Sequence, residues 1–228
     1  MSTSTKTRNP ATSAPPSSSG GEWLRSPVTW VAALVVVAAL VAVGLSLLNG
    51  GDDETVAVTD DITTQTAFAE IIGDPLPRLE TSPDPAIGMQ VPIVSAQTLA
   101  GDRITVEADG TARLFGFFAH WCPHCQEELP VTAQWLADNP LPDGVEVIAV
   151  STAVDETAPN YPPSEWFPRE NWPATVLLDS TESHLAGGFG LSAFPYWVAV
   201  DADGTIVARM TGALDEAQLT TIVNDLAS

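Results

Sequence analysis

Apolar and polar positions along the chain fall into two regimes. From Val28 to Leu48 the chain runs 21 residues without a charge, dense in Val, Ala and Leu. At the helical rise this covers about 30 Å, the thickness of a bilayer core, and predicts one transmembrane helix. After Ile87 the apolar runs become short and are separated by turn residues. Val91–Val94 and Arg103–Val106 bracket Gly101-Asp102 and predict a hairpin. A turn at Asp109-Gly110 leads into Ala112–Phe118, a β-type apolar run, and then into a helix-compatible segment from Cys122 to Asp138. Pro130 inside that segment removes one backbone hydrogen bond and should kink it. Val145–Ser151 is an apolar run interrupted only by Glu146 and closed by Ser151, as suits a strand buried on both faces. Further on the pattern predicts a helix around Ser164, a strand at Ala174–Leu178 and a short helix at Glu182–Phe189. A hairpin, Tyr196–Val200 with Thr205–Met210, turns at Asp201–Gly204, and the amphipathic helix Asp215–Leu226 closes the chain. Strands alternating with helices, followed by a late antiparallel hairpin, give an α/β domain whose mixed central sheet has helices on both faces. About 140 residues suffice for one domain with its own core.

The segments around the apolar run define the remaining organisation. Residues 1–27 are rich in Ser, Thr, Pro, Ala and Gly and read as a disordered tail. Lys6, Arg8 and Arg25 precede the run, and Asp52, Asp53 and Glu54 follow it. By the positive-inside rule the tail is cytoplasmic and everything after the 28–48 anchor is extracytoplasmic, on a single-pass protein of the cell membrane. A cleaved signal peptide is the competing reading, but its apolar core is shorter and ends in a small-residue cleavage site, and this run shows neither feature. Residues 49–86, first acidic and Thr-rich and then Pro-rich, read as a spacer ahead of a domain spanning 87–228. Of 8 basic and 29 acidic residues, only five basic ones lie beyond the anchor. That balance offers no nucleic-acid footprint. Between Thr152 and Trp172, Tyr161, Trp166, Phe167 and Trp172 are expected to pack over the sheet, with a partner surface as the alternative.

Chemistry concentrates where the central strand meets its helix. Cys122 and Cys125 are the only cysteines, spaced C-x-x-C after a strand and at a helix start. This is the context of a redox pair. The first turn of a helix offers unpaired N–H groups and the positive end of the macrodipole, which favour a thiolate at Cys122. Pro123 suits the first helical position, and Cys125, one turn in, is the protected resolving thiol. His124 between them is a candidate for tuning the pair, since a cationic or hydrogen-bonding imidazole stabilises a nearby thiolate. A structural disulfide over so small a loop stabilises little. A metal site remains an alternative, because His120, Cys122, His124 and Cys125 are four ligands within six residues. Closed zinc sites, however, draw on two separated ligand pairs. His184 stands alone and is expected at the surface.

The run Trp121-Cys122-Pro123-His124-Cys125, with Pro130 downstream, resembles the active-site helix of the thioredoxin superfamily. Glu128 before Leu129-Pro130 resembles the TlpA-like branch of membrane-tethered or periplasmic thiol–disulfide oxidoreductases, whereas Pro123-His124 is the dipeptide of DsbA-type oxidants. The resemblance covers Ile87 to the C-terminus. It implies a thioredoxin-like fold and a protein thiol–disulfide oxidoreductase in which Cys122 and Cys125 exchange disulfides and Glu128 moves protons for Cys125. It also implies a cis-proline at Pro195, with Trp121, Phe194 and Pro195 on the substrate side. Gly116 stands where thioredoxin itself carries a buried Asp. The implied partners are thiols or disulfides of exported proteins and a membrane or extracytoplasmic redox partner, with no cofactor. Electron flow in either direction is compatible with these motifs. A copper carrier of the Sco type needs C-x-x-x-C, and a peroxiredoxin a solitary Cys in a Thr-containing context; neither pattern is present. The non-enzymatic alternative is a metal-binding or copper-delivery module built on the Cys/His cluster.

Overall fold

The computed structural model describes residues 65–228. The predicted tail, the 28–48 anchor and the start of the spacer lie outside the described residues. Among the described residues no helix is long and apolar enough to cross a membrane.

In chain order the elements are β1 (Ala69–Ile72), β2 (Ile93–Gln97), β3 (Arg103–Val106), β4 (Ala112–Phe118), α1 (Pro123–Asp138), β5 (Val145–Ser151), α2 (Pro163–Arg169), β6 (Thr175–Leu178), α3 (His184–Gly188), β7 (Tyr196–Val200), β8 (Ile206–Thr211) and α4 (Glu216–Leu226). Five strands form the central sheet in the order β6-β5-β4-β7-β8. β4 pairs parallel with β5 and antiparallel with β7, so the sheet is mixed, as the pattern predicts.

β4 lies at the centre and all seven of its residues are buried. Its alternation assigns the two faces. Leu114 and Phe118 join Cys125, Leu129 and Trp197 in one core, which α1, α2 and α4 cover. Phe115 and Phe117 join Phe189, Tyr196 and Leu185 in the other, which α3 and the small sheet β1-β2-β3 cover. Trp166, Phe167 and Trp172 pack in the first core over the sheet, as expected.

Gly116 shows how tightly that face is filled. A Cβ there would lie 2.6 Å from the Trp197 ring and 2.8 Å from Phe118. The indole of Trp197 therefore occupies the volume that a side chain at 116 would need.

The fold begins earlier than the sequence pattern indicates. β1 falls inside the predicted 49–86 spacer yet pairs with β2 in register Ala69↔Ala96 to Ile72↔Ile93. Long-range contacts hold this segment down, and they leave no local mark in the sequence. Ile71 packs onto Gly188, where a Cβ would meet its Cδ1 at 2.4 Å. Arg209, on β8, forms a buried ion pair with Asp84 and donates to the Pro77 carbonyl at 2.8 Å. The predicted strand at Val91–Val94 likewise shifts to Ile93–Gln97. Met89 and Val91 instead bond the late hairpin, Val91 N–H to Gly204 O at 2.8 Å and Ile206 N–H to Met89 O at 2.9 Å.

Candidate active site

β4 delivers the chain to one end of the sheet, where Ala119–Trp121 turn into α1. The Cys122 N–H donates to Ala119 O at 3.0 Å, and Cys122 is the N-cap of α1, with Pro123 in the first helical turn. Pro130 lies inside α1. Cys122 is 6 % exposed and Cys125 is fully buried. The first cysteine is more covered than a freely accessible thiol, but the order of protection is the expected one. Burial pushes the Cys125 thiol far above the ordinary range, and the charges of Cys122 and Glu128 push it the same way. Cys125 therefore needs a base before it can act as a nucleophile.

Glu128 is the buried carboxyl of the same helix. Glu127 is exposed, whereas Glu128 is 2 % exposed. Both Glu128 oxygens accept from the Leu214 N–H, at 3.1 and 3.0 Å, and Oε1 also accepts from Thr132 Oγ1 at 3.1 Å. Burial raises its pKa above the ordinary carboxylate value, with the Leu214 and Thr132 bonds opposing. Its negative charge acts on the Cys125 thiol, so the proton affinities of the two groups are linked.

The residue preceding Cys122 is aromatic. The Phe194–Pro195 bond is cis, as the resemblance implies, and Pro195 is buried. The Phe194 ring meets the Trp121 ring edge-on at 5.9 Å, and the Trp121 indole N–H donates to Ala153 O at 2.6 Å. Trp121 keeps 38 % exposure beside Cys122.

The two histidines near the motif sit in different environments. His124 points outward, its side chain 74 % exposed and its Nδ1 3.6 Å from Glu127 Oε2. Among the described residues no hydrogen bond joins it to Cys122. His120 is buried, with Nδ1 2.7 Å from Pro159 O and Nε2 accepting from the Asp155 N–H at 3.1 Å. One nitrogen donates and the other accepts, which defines a neutral ring with Nδ1 protonated. The His120 carbonyl also accepts from Gln126 Nε2 at 2.8 Å and Asn160 Nδ2 at 3.3 Å. His120 thus staples the 153–160 loop to the site, and it leaves the four-ligand cluster that the metal reading needs. His184 is exposed, with Nδ1 3.3 Å from Ala69 O.

A family model for the thioredoxin-like domain matches residues 99–227. The chain belongs to the thioredoxin-like domain family. Among solved structures, this thioredoxin-like protein is similar to a candidate DsbE-type thiol:disulfide interchange protein from Chlorobium tepidum. The two share 20% identity over 62% of this chain and 98% of that one, with a TM-score of 0.52. The thioredoxin domain of a thiol-disulfide oxidoreductase from Bacteroides vulgatus gives 19% identity, 63% and 99% coverage, and a TM-score of 0.51. At these identities the likeness concerns the fold. DsbF of Mycobacterium tuberculosis is 29% identical over 58% of this chain and 93% of its own, with a TM-score of 0.49.

Thr132, the Leu214 N–H and the Ala153 carbonyl are site groups that sequence reasoning missed. Thr132 had a signal, since it stands one helical turn after Glu128 on the same face. Leu214 and Ala153 contribute backbone atoms from distant loops, for which no residue-type signal exists.

Proposed function

We propose that this protein is a thiol–disulfide oxidoreductase that exchanges disulfides with exported proteins through Cys122 and Cys125. The observation that carries the reading is the graded pair at the head of α1: Cys122 at the N-cap, Cys125 fully buried one turn in, and the Glu128 carboxyl on the buried side. In the reducing direction the Cys122 thiolate attacks a substrate disulfide. A mixed disulfide forms and one substrate thiolate leaves. Glu128 takes the proton of Cys125, whose sulfur attacks Cys122 Sγ, and the second substrate thiolate leaves with a proton returned by Glu128. Oxidation of a substrate dithiol is the same sequence run backwards. Trp121 and Phe194 form the apolar rim against which a substrate polypeptide is held.

The uncharged run at 28–48, with its basic flank before and acidic flank after, supports a single-pass anchor with the domain on the extracytoplasmic side. Protease added outside sealed cells should digest the domain while sparing an N-terminal tag. Digestion of the tag alone would reverse the topology.

The deciding experiment equilibrates the full chain with glutathione and measures the Cys122–Cys125 reduction potential. A value near about −120 mV identifies a donor of disulfides, and one near or below about −250 mV a reductant supplied with electrons from a partner. The absence of any exchange overturns the proposal.

A further inference from the structure

The buried end of the redox site contains a polar side chain, Thr132, that takes no direct part in the exchange reaction. We infer that Thr132 is a positioning residue for disulfide exchange, whose hydroxyl is the one partner of Glu128 able to follow its carboxyl through both protonation states. This rests on the reading of Glu128 as the proton carrier for Cys125.

Among the described residues Glu128 has two hydrogen-bond partners, the Leu214 N–H and Thr132 Oγ1. A backbone N–H can only donate, and its direction is fixed by the chain. A hydroxyl has one hydrogen and two lone pairs, and its hydrogen rotates freely about the C–O bond. While Glu128 is ionised, Thr132 donates to Oε1 at 3.1 Å. When Glu128 takes the Cys125 proton onto Oε1, the same Thr132 oxygen accepts it without moving any heavy atom. The hydroxyl hydrogen then turns to a backbone carbonyl of the preceding helical turn, the ordinary partner of a helical threonine. The Leu214 N–H keeps Oε2 throughout. The carboxyl gains or loses its proton without stranding a buried polar atom, which is the costly event in such a site.

The charges around Glu128 leave this task to the two neutral partners. On its own helix the ionisable neighbours are Cys125, whose thiol the Glu128 charge raises, and Glu127, which faces His124 at the surface. On the segment that brings Leu214, Asp215 caps α4 by accepting from the Gln218 N–H, and Glu216 is exposed in the first turn. Among the described residues no cationic side chain pairs with Glu128. Thr132 is buried, so water does not replace it.

The test compares T132V, nearly isosteric but without the hydroxyl, with T132S, which restores it. The Glu128 carboxyl is followed by 13C NMR in the full chain labelled at glutamate, its signal assigned by loss in E128Q. T132V should move the Glu128 titration upward by about one pH unit, while T132S stays within a few tenths. The pH profile of the resolving step should shift with it, and T132V should have no further effect on that profile in an E128Q background. A T132V titration that coincides with the unaltered protein, or a T132S shift as large as that of T132V, overturns the inference. T132A replaces T132V if the valine variant does not fold. A protein that exchanges no disulfides would overturn the proposed function instead, and the NMR titration would still decide the role of Thr132.

Discussion

The two oxygens of Glu128 straddle the backbone N–H of Leu214, at 3.1 and 3.0 Å, across 86 residues of sequence. This contact ties the helix that carries both cysteines to the turn that starts the last helix. It also explains why a carboxylate is tolerated at this depth. The N–H supplies a fixed donor while burial keeps the proton affinity high.

Replacing Glu128 by Gln separates these effects, because an amide keeps an acceptor for Leu214 but cannot carry the proton. Resolution by Cys125 should slow by about a hundredfold, read as persistence of the mixed disulfide in quenched-flow assays. Stability should move the other way. Burial raises the Glu128 pKa above its ordinary 4.5, so the folded state holds protons that the unfolded chain has released. Stability therefore falls as pH rises from about 4.5 through the folded-state value. The Tm of E128Q should gain on that of the unaltered protein across this window, and the two should converge below it. Buried Asp179, also raised by burial, leaves part of the slope in both proteins.

The graded burial of the cysteines predicts selective chemistry. In the reduced protein at neutral pH, iodoacetamide should modify Cys122 at least about tenfold faster than Cys125, whose thiol is both covered and held protonated. Peptide mass mapping reads the ratio. C125S should trap mixed disulfides with substrates, and C122S should form none. Equal labelling of the two sites would contradict the order of attack.

Gly116→Ala should destabilise the domain by about 1–3 kcal/mol in urea unfolding. Alanine in a strand ordinarily costs nothing relative to glycine, so the sign here is set by the 2.6 Å approach to Trp197. Gly116→Asp should cost more, because the carboxylate would enter an apolar core with no partner.

Asp84→Asn tests whether the early segment is part of the fold. It leaves the Arg209 guanidinium, fully buried, without its counter-charge, at a cost of about 3 kcal/mol. Limited proteolysis should then cut between residues 65 and 86. The hydrogen bond from Arg209 holds the Asp84 carboxyl below its ordinary 3.8. Its stabilisation is present above pH 3.8 and is lost as pH falls through the folded-state value, so the gap between D84N and the unaltered protein should narrow in acid.

The elements that carry the two cysteines were legible because their causes are local. Ala112–Phe118 has no charge except Arg113, whose guanidinium leaves the sheet for Asp109 and Glu146. The strand was therefore readable as a buried one. The C-x-x-C spacing and Pro123 located the head of α1 to the residue. Asp215 followed by Gln218 is a capping box, and it starts the last helix where the amphipathic pattern does. Other features depend on residues that meet only after folding. The choice of Glu128 over Glu127 as the buried carboxyl is made by Leu214 and Thr132. The capture of β1 from a Pro-rich segment is made by Gly188 and Arg209. Most telling are the two histidines beside the cysteines, identical in kind and four residues apart. A side chain's partners depend on which loop folds back over it. The 153–160 loop folds over His120 and engages both its ring nitrogens, while His124, on the open face of α1, is left to Glu127 and water.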